Sequence, residues 1–90
     1  VGSLLYQALL IGRALVEKGE LRTEAIKEAI ALHVANEPMI HVQAISIAQP
    51  DTLEDVSQVA PGTIFIIEAQ IGDVYLTDNI LWNNDGQWII

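Results

Sequence analysis

The apolar residues of this chain change their spacing once, at Pro38, and that change limits the fold more than any other feature. Ahead of it they recur in steps of three and four; behind it they alternate. Leu4, Ala8, Ile11 and Leu15, with Leu5, Leu9, Gly12 and Val16 beside them, form one broad stripe at the helical period. The spacing predicts a helix over residues 3–18, stopped by Gly19, which takes the left-handed C-terminal conformation without a Cβ penalty. Gly12 costs about 1 kcal/mol relative to Ala inside a helix, so another element is expected to pack closely there. A second helix should start at Thr23 as N-cap, with Glu24 in the first turn, where the helix dipole favours an anion. Ile26, Ala29, Ile30, His33 and Val34 give its buried face, and Asn36-Glu37-Pro38 ends it, because the residue before proline is driven out of the helical region. Two adjacent amphipathic helices joined by a short loop make a helical hairpin.

Beyond Pro38, Ile40-His41-Val42-Gln43-Ala44 alternates, but Ile45 and Ile47 take the opposite parity, so this strand is either bulged or covered on both faces. Pro50-Asp51-Thr52-Leu53-Glu54 reads as a turn entering one helical turn, with Asp51 and Glu54 at capping-box spacing. Residues 63–70 form a strand after the Pro61-Gly62 turn, and its run Ile64-Phe65-Ile66-Ile67 suits a central position. Gly72-Asp73 is a hairpin turn, and residues 74–77 are the return strand. Residues 82–88, Trp82 to Trp88, read as a smaller hairpin or a tail. Residues 1–90 are thus expected to be a single α+β domain: an N-terminal helical hairpin packed on one face of a small antiparallel sheet of about three strands.

Charge excludes several functions. The net charge is −8, and all four basic residues, Arg13, Lys18, Arg22 and Lys27, lie in the first 27 positions, whereas residues 28–90 hold nine acids and no Lys or Arg. Nucleic-acid affinity comes largely from Lys and Arg neutralising phosphates, so a DNA or RNA role is not expected. The second half alone has no cation with which to hold ATP phosphates. No run approaches the 18 or so apolar residues of a membrane span, and the first residues lack a secretion signal. With no cysteine, disulfides and thiolate chemistry are excluded, which fits a cytoplasmic protein. Half of the residues (51%) are apolar, yet so short a chain buries only about 60–65% of its unfolded surface, so an uncovered patch awaiting a partner is expected.

No catalytic, cofactor-binding or metal-ligating residue is assigned from these side chains. His33 and His41 lie eight apart across a helix end and a strand, not at a metal-ligand spacing. Asp51, Glu54 and Asp55 lack the repeated-aspartate pattern of a calcium loop. Asp73 and Asp85 sit in turns, where acids are common without function. Ser3, Ser46 and Ser57 have no histidine and orienting acid in a recognisable motif, and the six glycines form no phosphate loop. Trp82 and Trp88 could form an aromatic platform, with a contact to another domain favoured over nucleic-acid stacking in so acidic a setting.

The ordered set LLYQALLIGRALVEKGE, Glu37-Pro38 before a Val-containing strand, Pro50-Asp51-Thr52-Leu53, and a hairpin ending Leu76-Thr77-Asp78-Asn79 resembles the C-terminal domain of pantoate-beta-alanine ligases over residues 3–81. The resemblance implies an enzyme that activates pantoate with ATP to a pantoyl adenylate, from which beta-alanine displaces AMP. It implies ATP and magnesium for the whole enzyme, held mainly by an N-terminal nucleotide-binding domain absent from this chain, with a Ser-Arg-containing loop just ahead of the first helix. The present domain would act as a lid, and its partners would be that N-terminal domain and, in the full enzyme, pantoate, beta-alanine and ATP; a homodimer is compatible with the resemblance. Some relatives look like ligases fused to a cytidylate kinase, so residues 87–90 are either the start of such a kinase or a terminal strand of the lid. Two departures stand out: Tyr75 where the family commonly has Arg, and Gln43-Ala44 where it has Asp-Tyr. Asp78 and Asn79 are assigned to structure, ending a strand at a fixed angle by bonding nearby backbone. The rival function is a free-standing acidic module whose apolar sheet face binds a protein.

Overall fold

The computed structural model describes residues 2–90 as two helices followed by four strands, in the order α1 (Gly2–Glu17), α2 (Thr23–Val34), β1 (His41–Ala48), β2 (Thr63–Ile71), β3 (Val74–Trp82) and β4 (Trp88–Ile89). The α+β class and the one-sided helical hairpin are as expected; the sheet has four strands in the order β1-β2-β3-β4, all antiparallel, one more than about three. Among the described residues no helix is long and apolar enough to cross a membrane.

α1 stops where its glycine predicts. Gly19 has φ 98°, its N–H donates to the Val16 carbonyl at 2.9 Å, and the Glu20 N–H donates to the Leu15 carbonyl at 2.9 Å. That pair of bonds is the Schellman arrangement, which satisfies carbonyls the helix itself leaves open. Gly12 is the close-approach point: a Cβ there would lie 3.0 Å from Ile30 Cδ1 and 3.2 Å from Ile26 Cγ2. α2 starts differently from expectation. Arg22 occupies the N-cap with no side-chain cap bond, and Thr23, buried as the first helical residue, donates its hydroxyl to the Ser57 carbonyl at 3.2 Å. The threonine is tied to the 49–62 loop instead: its backbone N–H also donates to the Ser57 carbonyl, at 3.2 Å.

The parity switch in β1 resolves as a bulge. Val42 pairs with Ala69 and Ala44 with Glu68, leaving Gln43 as the extra residue. Register then places Val42, Ile45 and Ile47 opposite the inward-facing Ala69, Ile67 and Phe65 of β2, so a single inserted residue carries the apolar set from even to odd positions. α1 lies over β2 and β3 and α2 over β1. Between them Leu5, Leu9, Ile26, Ile30, Ile47, Phe65, Ile67 and Ile80 are fully buried. Each such side chain contributes about 1.5–3 kcal/mol through removal of apolar surface from water.

Residues 49–62 fold back along the C-terminal end of β1. The Val56 N–H donates to the Ile47 carbonyl at 3.1 Å, Ala48 bridges Asp55, and the Val59 N–H donates to the Leu21 carbonyl at 2.7 Å. The expected helical turn at Asp51–Glu54 is absent. Asp51 Oδ1 accepts from the adjacent Thr52 N–H at 2.9 Å, Thr52 Oγ1 accepts from the Glu54 N–H at 3.2 Å, and Leu53 sits at φ 58°. Short side chains that capture neighbouring amides favour a tight turn over a helix start.

Candidate functional site

The histidine, serine and turn-acid candidates lie apart from one another, each in a separate structural setting. Half-buried His33 is in the last turn of α2, with Nε2 shielded from water and without a hydrogen-bond partner, while His41 opens β1, exposed and opposite Gln70. Asp73 follows Gly72 in a two-residue hairpin connection, where the glycine at φ 57° supplies the positive angle that such a turn needs at its first position. Ser46 faces Ile66 across the sheet, and the Ser57 carbonyl accepts from α2. The Ser3 side chain, like Val1, lies outside the described residues. Among the described residues no three His, Asp or Glu side chains lie together.

Asp78 and Asn79 do not end a strand. β3 continues through them to Trp82, with Asp78 opposite Ile67 and Asn79 opposite Ile66. Asp78 does take a neighbouring amide, accepting from the Asn79 N–H at 2.8 Å. Nine consecutive pairs with β2 extend the strand past the point at which side-chain chemistry suggested a break. Trp82 and Trp88 also differ from a free platform. Their rings stack at 5.4 Å and 5°, Trp88 lies 5.5 Å from Phe65, and the Arg13 guanidinium lies 5.9 Å above Trp88. The pair closes the margin of the domain's own core, and Trp88-Ile89 is a strand of this sheet, paired with Leu81 and Trp82.

The two departures noted in the sequence meet on the face of the sheet away from the helices. Tyr75 pairs with Gln70, and its hydroxyl donates to Glu68 Oε2 at 2.7 Å. That hydrogen bond is the main cause that raises the Tyr75 hydroxyl pKa above its ordinary value, since ionisation would oppose two negative oxygens. Gln43, the bulged residue, donates its amide to Gln70 Oε1 at 3.4 Å. Gln70 thus links both altered positions. Elsewhere, bonding to Arg22 holds the Glu20 carboxyl below its usual range and raises Arg22 in turn.

Two surface concavities bear on the candidate residues. One of about 760 Å³ is lined by Gln49, Asp51, Gln58, Thr63 and Asn84 among others, and one of about 490 Å³ lies at the start of α2 around Arg22, Glu24 and Glu28. In the first, Thr63 is spent on the loop, donating to the Ala60 carbonyl at 2.7 Å. Neither concavity joins a nucleophile to a base. The uncovered apolar surface expected from composition lies on the outer face of the sheet, and its residues were not named from the sequence. Ile64, Ile66 and Leu81 are half-buried and Ile89 is 54% exposed, all outside the core cluster and on the face away from the helices. Its signal was present in the four consecutive apolar residues 64–67, of which alternate members must point away from the core.

No protein-family profile matches the chain. A pantothenate synthetase of Clostridium acetobutylicum is 28% identical over 81 residues, covering 90% of this chain and 29% of that protein. A bifunctional pantoate ligase/cytidylate kinase of a Synechococcus strain is 30% identical over 86 residues, covering 96% of this chain and 16% of that protein. The crystal structure of pantothenate synthetase from Thermus thermophilus superposes with a TM-score of 0.80 at 25% identity, over 89% of this chain and 29% of that one. The chain therefore spans about 29% of the length of the first relatives it matches, and the part it matches is their C-terminal portion.

Proposed function

We infer that this chain, a homologue of the C-terminal portion of pantothenate synthetase, serves as the lid domain of a cytoplasmic ATP-dependent ligase that condenses pantoate with beta-alanine. The observation that carries this reading is the superposition at TM-score 0.80 on a portion, and only a portion, of such an enzyme. The chemistry of the domain agrees with the role. Its side chains offer packing surface and a fixed shape, and its nine acids on residues 28–90 are unsuited to holding a triphosphate. The reaction uses ATP with magnesium; these residues do not fit a magnesium site, since no three carboxylate or imidazole side chains lie together among those described, and no step of the reaction is assigned to them.

In the mechanism inferred here, the nucleotide-binding portion of the enzyme forms the pantoyl adenylate, and this domain covers it until beta-alanine arrives. Excluding water matters because an acyl adenylate hydrolyses, which would consume ATP without product. The test is direct. Purified alone, the ninety residues should form no pantothenate from pantoate, beta-alanine and ATP, whereas the full ligase should form it and release one AMP per product. Turnover by the isolated chain would end the reading.

A further inference from the structure

Leu53 destabilises the isolated domain in two ways. It is the one residue other than glycine at positive φ among those described, at 58°, a left-handed conformation in which a leucine Cβ crowds its own backbone. Its side chain is also 60% exposed and takes no part in the core cluster. The surrounding turn enforces the conformation. The Leu53 N–H donates to the Gln49 carbonyl at 2.7 Å and the Gln49 N–H to the Glu54 carbonyl at 3.0 Å, while the side chains of Asp51 and Thr52 hold the amides of Thr52 and Glu54. Asparagine or glycine would fill such a turn with less strain and no exposed apolar surface. Strain kept at a fixed, exposed apolar residue points to a contact made outside the domain.

The place of Leu53 in the fold indicates where that contact falls. The Val59 N–H donates to the Leu21 carbonyl and the Thr23 hydroxyl to the Ser57 carbonyl, so the 49–62 loop lies at the C-terminal end of α1. The 16 residues of α1 separate that end from Gly2 by about 24 Å. The relatives match this chain through their C-terminal portion, so the rest of such an enzyme joins at the Gly2 end. Leu53 is therefore near the free tip, where a closing lid travels furthest.

We propose that Leu53 is the latch of the lid: a fixed apolar knob that enters a socket on the nucleotide-binding portion when the domain closes over bound substrate. The proposal rests on the ligase reading above. Asp51, Glu54 and Asp55 flank the knob in the chain, which suits a socket on the rim of a cleft for ATP and pantoate, anions whose binding walls must carry Lys or Arg. A second copy of the chain is disfavoured as the occupant, because it would bring these acids against a molecule of net charge −8. Latched, the lid keeps water from the acyl adenylate; unlatched, it opens at its tip first.

Two substitutions separate the knob from the turn that holds it. Leu53→Asn keeps the left-handed turn and removes the apolar side chain, whereas Leu53→Met keeps an apolar side chain of similar volume. In the isolated chain, Leu53→Asn should leave the thermal midpoint unchanged or raise it, because asparagine tolerates this conformation better. In the full ligase it should raise the AMP released per pantothenate several-fold, with Leu53→Met staying close to the unsubstituted enzyme. Oxidation by hydroxyl radicals reads the contact itself. Leu53 should label several-fold less in the full ligase with ATP and pantoate than in the isolated chain, with Leu32, 63% exposed on α2, as the reference. Equal labelling of Leu53 in the two proteins, a lower midpoint for Leu53→Asn in the isolated chain, or an unchanged AMP ratio each overturns the latch. A full ligase that forms no pantothenate without any substitution sinks the ligase reading instead, and the labelling then still decides whether Leu53 is covered.

Discussion

Gly12 shows how a single residue can set the distance between two helices. Its missing side chain lets Ile26 and Ile30 of α2 lie against the backbone of α1. Alanine would gain helix propensity but crowd Ile30 Cδ1 at 3.0 Å, so the two effects oppose each other. Valine adds two further methyls where none fits. Gly12→Val should lower the unfolding free energy by about 1–3 kcal/mol, read from urea midpoints at constant m. The sequence showed this site because a glycine inside an otherwise apolar stripe needs a packing reason. Tyr75 was legible only as a departure, since nothing local says that Glu68, seven residues away, lies beside it. Because the hydrogen bond favours the protonated phenol, its stabilising effect is complete below pH 10 and is lost as pH rises through the higher folded value. Spectrophotometric titration should therefore show one tyrosine ionising above the ordinary value of 10.0, and Glu68→Gln should bring it down.

Elements were read well where one period dominated and poorly where backbone pairing overruled side-chain preference. Both helices announced themselves through the 3.6-residue stripe. β3 was read only as far as Thr77, because Thr77-Asp78-Asn79 carries the chemistry of a turn, and the continuous pairing with β2 keeps it extended to Trp82. Local preference is weak beside a full ladder of hydrogen bonds. β1 lay between these cases: its two parities demanded either a bulge or double coverage, and the choice depends on which face of β2 is buried. Gln43 can now be tested as the residue that reconciles them. Deleting it would shift residues 40–42 by one position, turning Ile40 and Val42 away from the helices and bringing His41 inward. Ile40 is only 8% exposed. The deletion should destabilise the chain by at least 1.5–3 kcal/mol, roughly the burial of one such side chain, while replacement by Ala should change the urea midpoint little.

For the whole molecule, charge is arranged as unevenly in space as in sequence. The four cations sit on the helical hairpin or the loop between its helices, and both ion pairs among the described residues, Arg13 with Glu17 and Arg22 with Glu20, are there too. The sheet and its loops hold acids only. Surface ion pairs contribute little and are themselves screened by salt, whereas unpaired like charges on one small sheet repel one another throughout the folded state. Sodium chloride should thus stabilise the isolated chain: raising it from about 0.02 to 0.5 M shortens the screening length from about 20 to 4 Å and should move the urea midpoint upward. A midpoint that falls would mean that the two ion pairs outweigh the acidic sheet.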